Sequence, residues 1–189
     1  MSSDRIQQWD ERYRAGEQVF ETPSSLVVQF TRDLPAGSAL DLASGPGRNA
    51  LYLAQLGWRV TAVDGSAVAI DLLRASAHRR NLMIDAQLVD LEAVGFQFAS
   101  EAYHLVLSCY YLQRSLIAGM KSALRAGGLL MMIVHLADDD QPLGTPTRAC
   151  PGELRTMLEG WPILHYREGE PGEAGHRHGV AEVVTRKPA

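Results

Sequence analysis

Leu40-Asp41-Leu42-Ala43-Ser44-Gly45-Pro46-Gly47-Arg48-Asn49-Ala50 is the stretch that decides the fold. An apolar strand, Ala39 to Ala43, runs into a bend with two glycines and leaves it as a helix, Arg48 to Leu56. Glycine lets the backbone take positive φ or approach a ligand closely. The start of the helix presents unpaired N–H groups that favour an anion. Asp41 lies just before the bend, where its carboxylate can meet an ammonium group.

The same alternation continues outward. Arg59 to Val63 reads as a strand, Ala67 to Arg80 as a helix, and Ile84 to Val89 and Tyr103 to Ser108 as strands. Leu116 to Arg125 reads as a helix, Gly127-Gly128 as a turn, and Leu129 to Val134 as an apolar strand. Continuous apolar strands imply burial on both faces, and strand–helix alternation implies a parallel sheet between helices. In the tail, Ile163 to Tyr166 and Val180 to Thr185 are joined by a segment with no helix in it. A parallel crossover needs about a dozen residues or more, usually helical, so this pair is expected to be antiparallel. Upstream, Asp4 to Arg14 carries Ile6, Trp9 and Tyr13 at helical spacing, and a second helix opens at Pro23 and runs to Leu34. The expected architecture is α/β: a Rossmann-like, doubly wound, mostly parallel sheet with an antiparallel last strand, helices on both faces and an N-terminal helical cap. One domain is expected over 1–189, with the cap at 1–36 and the core at 37–189.

Composition bounds the function. The 189 residues are 46% hydrophobic and 21% charged, with a formal net charge of −4. That balance argues against a general nucleic-acid binder, which needs a basic footprint. Cys109 and Cys150 form no CxxC pair, and no metal cluster is legible. No apolar run has the length of a membrane span, and the N-terminus lacks an apolar signal core. The expectation is a cytoplasmic protein with a small-molecule substrate, no nucleic acid, no membrane and no metal, as a monomer or homodimer.

Three acids stand at three successive strand tips: Asp41, Asp64 and Asp90. Open α/β sheets bind ligands at that edge. Asp64 is placed to accept from two ribose hydroxyls. Asp90, with Leu91, is placed at an adenine edge. Asp64 before Gly65-Ser66, and Asp90, equally read as helix caps. A nicotinamide dinucleotide domain is the main rival, because Gly45-Pro46-Gly47-Arg48-Asn49-Ala50 satisfies G-x-G-x-x-[G/A]. Against it stand Asp41 where such strands are apolar, the two preceding helices, and the antiparallel tail.

Leu40 to Gly47 resembles motif I of the class I S-adenosylmethionine-dependent methyltransferases. Gly45 to Ala54 resembles the small TehB-type (tellurite-resistance) and methyltransferase-12 branch. Trp9-Asp10-Glu11-Arg12-Tyr13 resembles its N-terminal signature. Tyr110 to Leu116 and Leu124 to Leu130 resemble its fourth-strand exit and the turn before its fifth strand. Ala43 and Ser44 replace that group's usual glycine and cysteine. The resemblance implies S-adenosylmethionine as cofactor, with S-adenosylhomocysteine as product, and a seven-stranded sheet. The expected cofactor shell is Trp9, Tyr13, Asp41, Ala43, Ser44, Gly45, Gly47, Asn49, Asp64, Gly65, Ser66, Asp90, Leu91 and Ser108.

Trp9 and Tyr13 share one helix face and are expected either to close over the sulfonium by cation–π attraction or to pack into the core. Methyl transfer is an in-line displacement that needs orientation, and needs a base only when the acceptor must lose a proton. Tyr110, His135 and Arg177 are the expected acceptor-side residues. His176-Arg177-His178 equally reads as a solvated loop, and the Asp- and Pro-rich stretch Ala137 to Pro151 as a long mobile loop. The acceptor is a small molecule, read as an oxyanion or heteroatom nucleophile. A nicotinamide-dependent oxidoreductase and a non-catalytic S-adenosylmethionine-binding regulator are the alternatives.

Overall fold

All five residues of β1 (Ser38–Leu42) are buried, as a strand covered on both faces requires. The computed structural model describes residues 3–17, 19–93, 96–138, 143–173 and 178–189. Seven strands form a sheet in the order β3-β2-β1-β4-β5-β7-β6. The chain divides into two compact units, Met1–Gln97 and Phe98–Ala189.

In the first unit, β1, β2 (Arg59–Asp64) and β3 (Ile84–Leu88) run parallel, with Asp41 beside Ala62 and Asp64 beside Leu88. Helix α3 (Arg48–Gln55) follows β1, and α4 (Ala67–Arg79) follows β2. Ala69, Ile70, Leu73 and Ala77 of α4 are buried at helical spacing. Gly47 caps α3 at φ +86°, and a Cβ there would lie 2.2 Å from Leu73 Cδ1, so only glycine fits. Two helices precede the sheet, α1 (Ser3–Arg14) and α2 (Ser25–Thr31). Helix α2 is shorter than the Pro23–Leu34 reading. Ser24 is extended at ψ 133°, and its N–H is held by Asn49 Oδ1 at 2.9 Å.

In the second unit, β4 (Tyr103–Cys109) is parallel to β5 (Leu124–His135). Between them lie a 3₁₀ turn (Arg114–Leu116) and α5 (Ile117–Ala123). The helix therefore stops before Arg125. Leu124 is fully buried and pairs with Tyr103, so β5 starts there. Gly127, at φ +75°, bends the strand and donates its N–H to Lys187 O at 3.0 Å. A short helix that periodicity does not reveal, α6 (Glu153–Met157), precedes β6 (Ile163–Gly169) and β7 (Val180–Arg186). Strand β7 is antiparallel to both β5 and β6, as the tail predicts. Among the described residues no helix is long and apolar enough to cross a membrane.

Candidate active site

In the first unit the exits of β1, β2 and β3 meet under α1. The bend after β1 is tied to β2 by Ser44 N–H donating to Val63 O at 3.1 Å. Gly45 stands at φ +54° and Ala43 at φ +51°. Ala43 thus takes a left-handed conformation, at a cost of about 1–2 kcal/mol for a residue with a Cβ.

Asp41 is 2% exposed, and its Oδ2 has no hydrogen-bond partner among the described residues. Burial pushes its carboxyl up to about 7, against the Arg48 charge and the Ala50 N–H, with the Asp64 charge adding to the rise. A buried carboxylate oxygen left unpaired is costly unless a ligand supplies the partner.

Asp64 has another arrangement. Its Oδ2 accepts from Gly45 N–H at 2.7 Å and its Oδ1 from Ser66 N–H at 2.8 Å. Burial raises its carboxyl, and the two amides oppose that rise. It therefore pins the bend and the start of α4 together, while each oxygen keeps lone-pair capacity. Ser66 is buried and caps α4, its Oγ accepting from Ala69 N–H at 3.1 Å, so the helix cap is the serine and not Asp64, which was read as one. Gly65 is buried between them. Asp90 Oδ1 accepts from Glu92 N–H at 2.9 Å, and Leu91 is buried at 3% exposure. Asn49 is buried with its side-chain oxygen on Ser24 N–H, so its resolved role is to hold α2.

Helix α1 lies across these exits. The Tyr13 hydroxyl would be 3.0 Å from a Cβ on Gly45. Burial, then the Asp64 charge, raises the Tyr13 phenol above its ordinary range. Asp10 Oδ1 accepts from Ser66 Oγ and, at 3.3 Å, from Val68 N–H at the start of α4. Arg5 pairs with Glu92 at 2.7 Å. Trp9 and Tyr13 stack at 5.5 Å, with the Arg12 guanidinium 5.0 Å from the Trp9 ring. Both rings are half-buried, so neither is a core residue. Asp10 stands in the Trp9–Tyr13 signature but was given no role in the sequence, and Arg5 was not singled out.

The second unit holds Ser108 and the described residues expected on the acceptor side. Ser108 is fully buried and donates its hydroxyl to Tyr111 O at 3.0 Å, which binds it to the turn after β4. Tyr110 follows at φ +61°, its N–H donating to Ile133 O at 2.6 Å. Its ring lies 5.3 Å from that of His135 at the end of β5, and His135 stands edge-on to His178 at 5.9 Å. Arg177 lies outside the described residues, as do His176, Asp139, Asp140 and Pro142. The described part of the supposed mobile loop is firmly tied. Arg114 forks onto Glu153 at 2.6 and 2.9 Å and donates to Thr145 O at 2.8 Å and Arg148 O at 3.2 Å. Ala149 is buried and bridges to Leu136. Among the described residues no group of three or more His, Cys, Asp or Glu is placed to hold a metal.

The sheet order and the acid-lined glycine bend define the class: the S-adenosylmethionine-dependent methyltransferase fold. The model of the tellurite resistance protein TehB family matches residues 8–182, and the chain belongs to that family. A relative from Haemophilus influenzae, described as a probable S-adenosyl-L-methionine-dependent methyltransferase TehB, is 31% identical over 151 residues. The match covers 75% of this chain and 52% of that protein. The chain spans about half the length of the curated relatives it matches. The crystal structure of TehB from Haemophilus influenzae matches with a TM-score of 0.77 at 27% identity, over 94% of this chain and 67% of that one. A Burkholderia thailandensis 1,6-didemethyltoxoflavin-N1-methyltransferase, solved with bound 1,6-didemethyltoxoflavin and S-adenosylhomocysteine, shares the fold. Its TM-score is 0.70 at 18% identity, over 98% of this chain and 88% of that one. S-adenosylmethionine is the cofactor of this class.

Proposed function

We propose that this chain transfers a methyl group from S-adenosylmethionine to a small-molecule acceptor with an anionic or heteroatom nucleophile. The observation that carries the reading is the orphaned, buried Oδ2 of Asp41 beside the glycine bend. It fits the ammonium of the cofactor's amino-acid end, and the N–H groups that open α3 fit its carboxylate. Ala43, Ser44, Gly45 and Gly47 give the close backbone approach. Asp64 takes the ribose with the lone pairs that Gly45 and Ser66 leave it, beside Gly65. Asp90 and Leu91 take the adenine. Trp9 and Tyr13 offer ring faces toward a sulfonium. Asn49 and Ser108 serve indirectly, by holding α2 and the β4 exit.

The cofactor supplies a methyl group already activated on sulfur. The chain's own work is therefore to orient and to exclude water. Helix α1 covers the three strand exits through Asp10, Arg5 and Tyr13. On the acceptor side, Tyr110 and His135 present a phenol and an imidazole, and His135 can take a proton from an acceptor that must lose one. A role for Arg177 toward an anionic acceptor stays part of the proposal on its chemistry alone. Tellurite enters as a candidate acceptor through the family's name.

The test is turnover of the purified chain with S-adenosylmethionine against tellurite, selenite and small thiols, reading S-adenosylhomocysteine formed. Acceptor-dependent product supports the reading. Cofactor binding with no product from any acceptor would favour a regulator that kept the pocket.

A further inference from the structure

Three side chains of the second unit close a ring of hydrogen bonds. Arg148 Nη1 donates to Asp138 Oδ2 at 2.5 Å, Asp138 Oδ1 lies 3.1 Å from His178 Nδ1, and His178 Nε2 lies 3.0 Å from Arg148 Nη2. A guanidinium only donates, so Nε2 accepts and the imidazole proton sits on Nδ1, facing the carboxylate. His178 in turn stands edge-on to His135, whose ring neighbours Tyr110. The ring thus abuts His135, one of the two residues assigned to the acceptor, and reaches Tyr110 only through it.

The backbone that carries Arg148 is held by hydrogen bonds, and its head is engaged by Asp138 and His178. Arg148 N–H donates to Thr145 Oγ1 at 3.0 Å, and its carbonyl accepts from Arg114. Arg114 is itself locked by Glu153, and Glu153 Oε2 also accepts Cys150 N–H at 2.9 Å. Burial opposes the charge on Glu153, but Arg114 and that amide hold its carboxyl below the ordinary range. Asp138 is exposed at 51%, while Arg148 is half-buried at 26%. An ion pair with one partner in water is partly screened, so an incoming anion can exchange for Asp138 on the guanidinium. The planar fork suits a delocalised anion such as a carboxylate or an inorganic oxyanion. As Arg148 turns to that anion it leaves His178 Nε2, while Asp138 keeps the imidazole in place through Oδ1.

We propose that Arg148 is the specificity-determining residue of the acceptor site, recognising the acceptor's delocalised anionic group, and that Arg114 is the residue that positions it. The inference rests on the methyl-transfer reading for its purpose, and its test does not depend on turnover.

The test uses the whole chain labelled with ¹⁵N, following the His178 ring nitrogens while sodium selenite, or in a parallel arm sodium acetate, is added. The expected result is a saturable shift of Nε2 in at least one arm, which also separates an oxyanion from a carboxylate acceptor. Arg148→Ala should weaken that anion at least about tenfold, and Arg148→Lys should recover part of the loss. Arg114→Lys, or Glu153→Gln should the first variant fold poorly, should weaken anion binding in the same direction. Calorimetry with S-adenosylhomocysteine should show an unchanged affinity in every variant. In turnover the loss should fall on KM for the anionic acceptor and leave kcat nearly unchanged. No saturable shift with either anion, or equal anion affinity in Arg148→Ala, overturns the proposal. Absence of S-adenosylhomocysteine binding in the unaltered chain would instead overturn the methyl-transfer reading and leave the anion result standing.

Discussion

Asp41 carries a conflict that makes it measurable. Its folded carboxyl titrates near 7, because burial disfavours the charge, while an exposed aspartate titrates near 3.8. Below about pH 4 the group is neutral in both the folded and the unfolded chain. As pH rises toward 7 the unfolded chain gives up the proton and the folded chain keeps it, so stability falls, and above 7 the loss is complete. Asp41→Asn should therefore leave the cofactor-free protein's stability nearly unchanged at pH 4 and raise it at pH 8, read from urea midpoints. The same variant should weaken S-adenosylhomocysteine by about tenfold or more, because the ammonium loses its charged partner. A variant that is less stable at pH 8, or binds equally well, contradicts this role. Asp41, Gly45 and Gly47 were legible because strand, bend and helix fix their places by local pattern alone. The tie of Asn49 to Ser24 was not, since it joins residues that only the tertiary fold brings together.

At the scale of elements, α1 shows how far periodicity reaches. Ile6, Trp9 and Tyr13 predict the helix, but not that Asp10 would take the Ser66 hydroxyl or Arg5 reach Glu92. Those contacts depend on how the helix docks, which its own pattern does not encode. If the stacked rings act on the sulfonium, replacing both Trp9 and Tyr13 by Ala should weaken S-adenosylmethionine by about 2- to 30-fold, the range of a cation–π contact of roughly 0.5–2 kcal/mol. The neutral product should be affected less. Equal losses for both ligands would mark α1 as a cover with no charge preference, and no loss would remove it from the site. Likewise, β5 begins earlier than its apolar run suggests, because burial of Leu124 and the Gly127–Lys187 tie decide its start. The stretch Ala137 to Pro151 reads as a long mobile loop from its composition, and its described part from residue 143 on is held by Arg114, a residue some thirty positions away.

For the whole molecule, seven strands with an antiparallel β7 follow from alternation, apolar runs and a tail too short for a crossover. Membership of the TehB family agrees with the motif around Gly45 and Gly47. The acceptor side was less legible. Tyr110 and His135 stand next to each other, yet the Arg148–Asp138–His178 ring joins two separate connections, β5 to α6 and β6 to β7, whose meeting no local motif announces. The central claim is that the first unit holds the amino-acid end and sugar of S-adenosylmethionine through Asp41, the glycine bend and Asp64. Calorimetric titration of the purified chain with S-adenosylhomocysteine, and separately with NADH, tests it most directly. One-to-one binding of the former with no heat from the latter is the expected result. No heat from S-adenosylhomocysteine, or saturable binding of NADH, would contradict it.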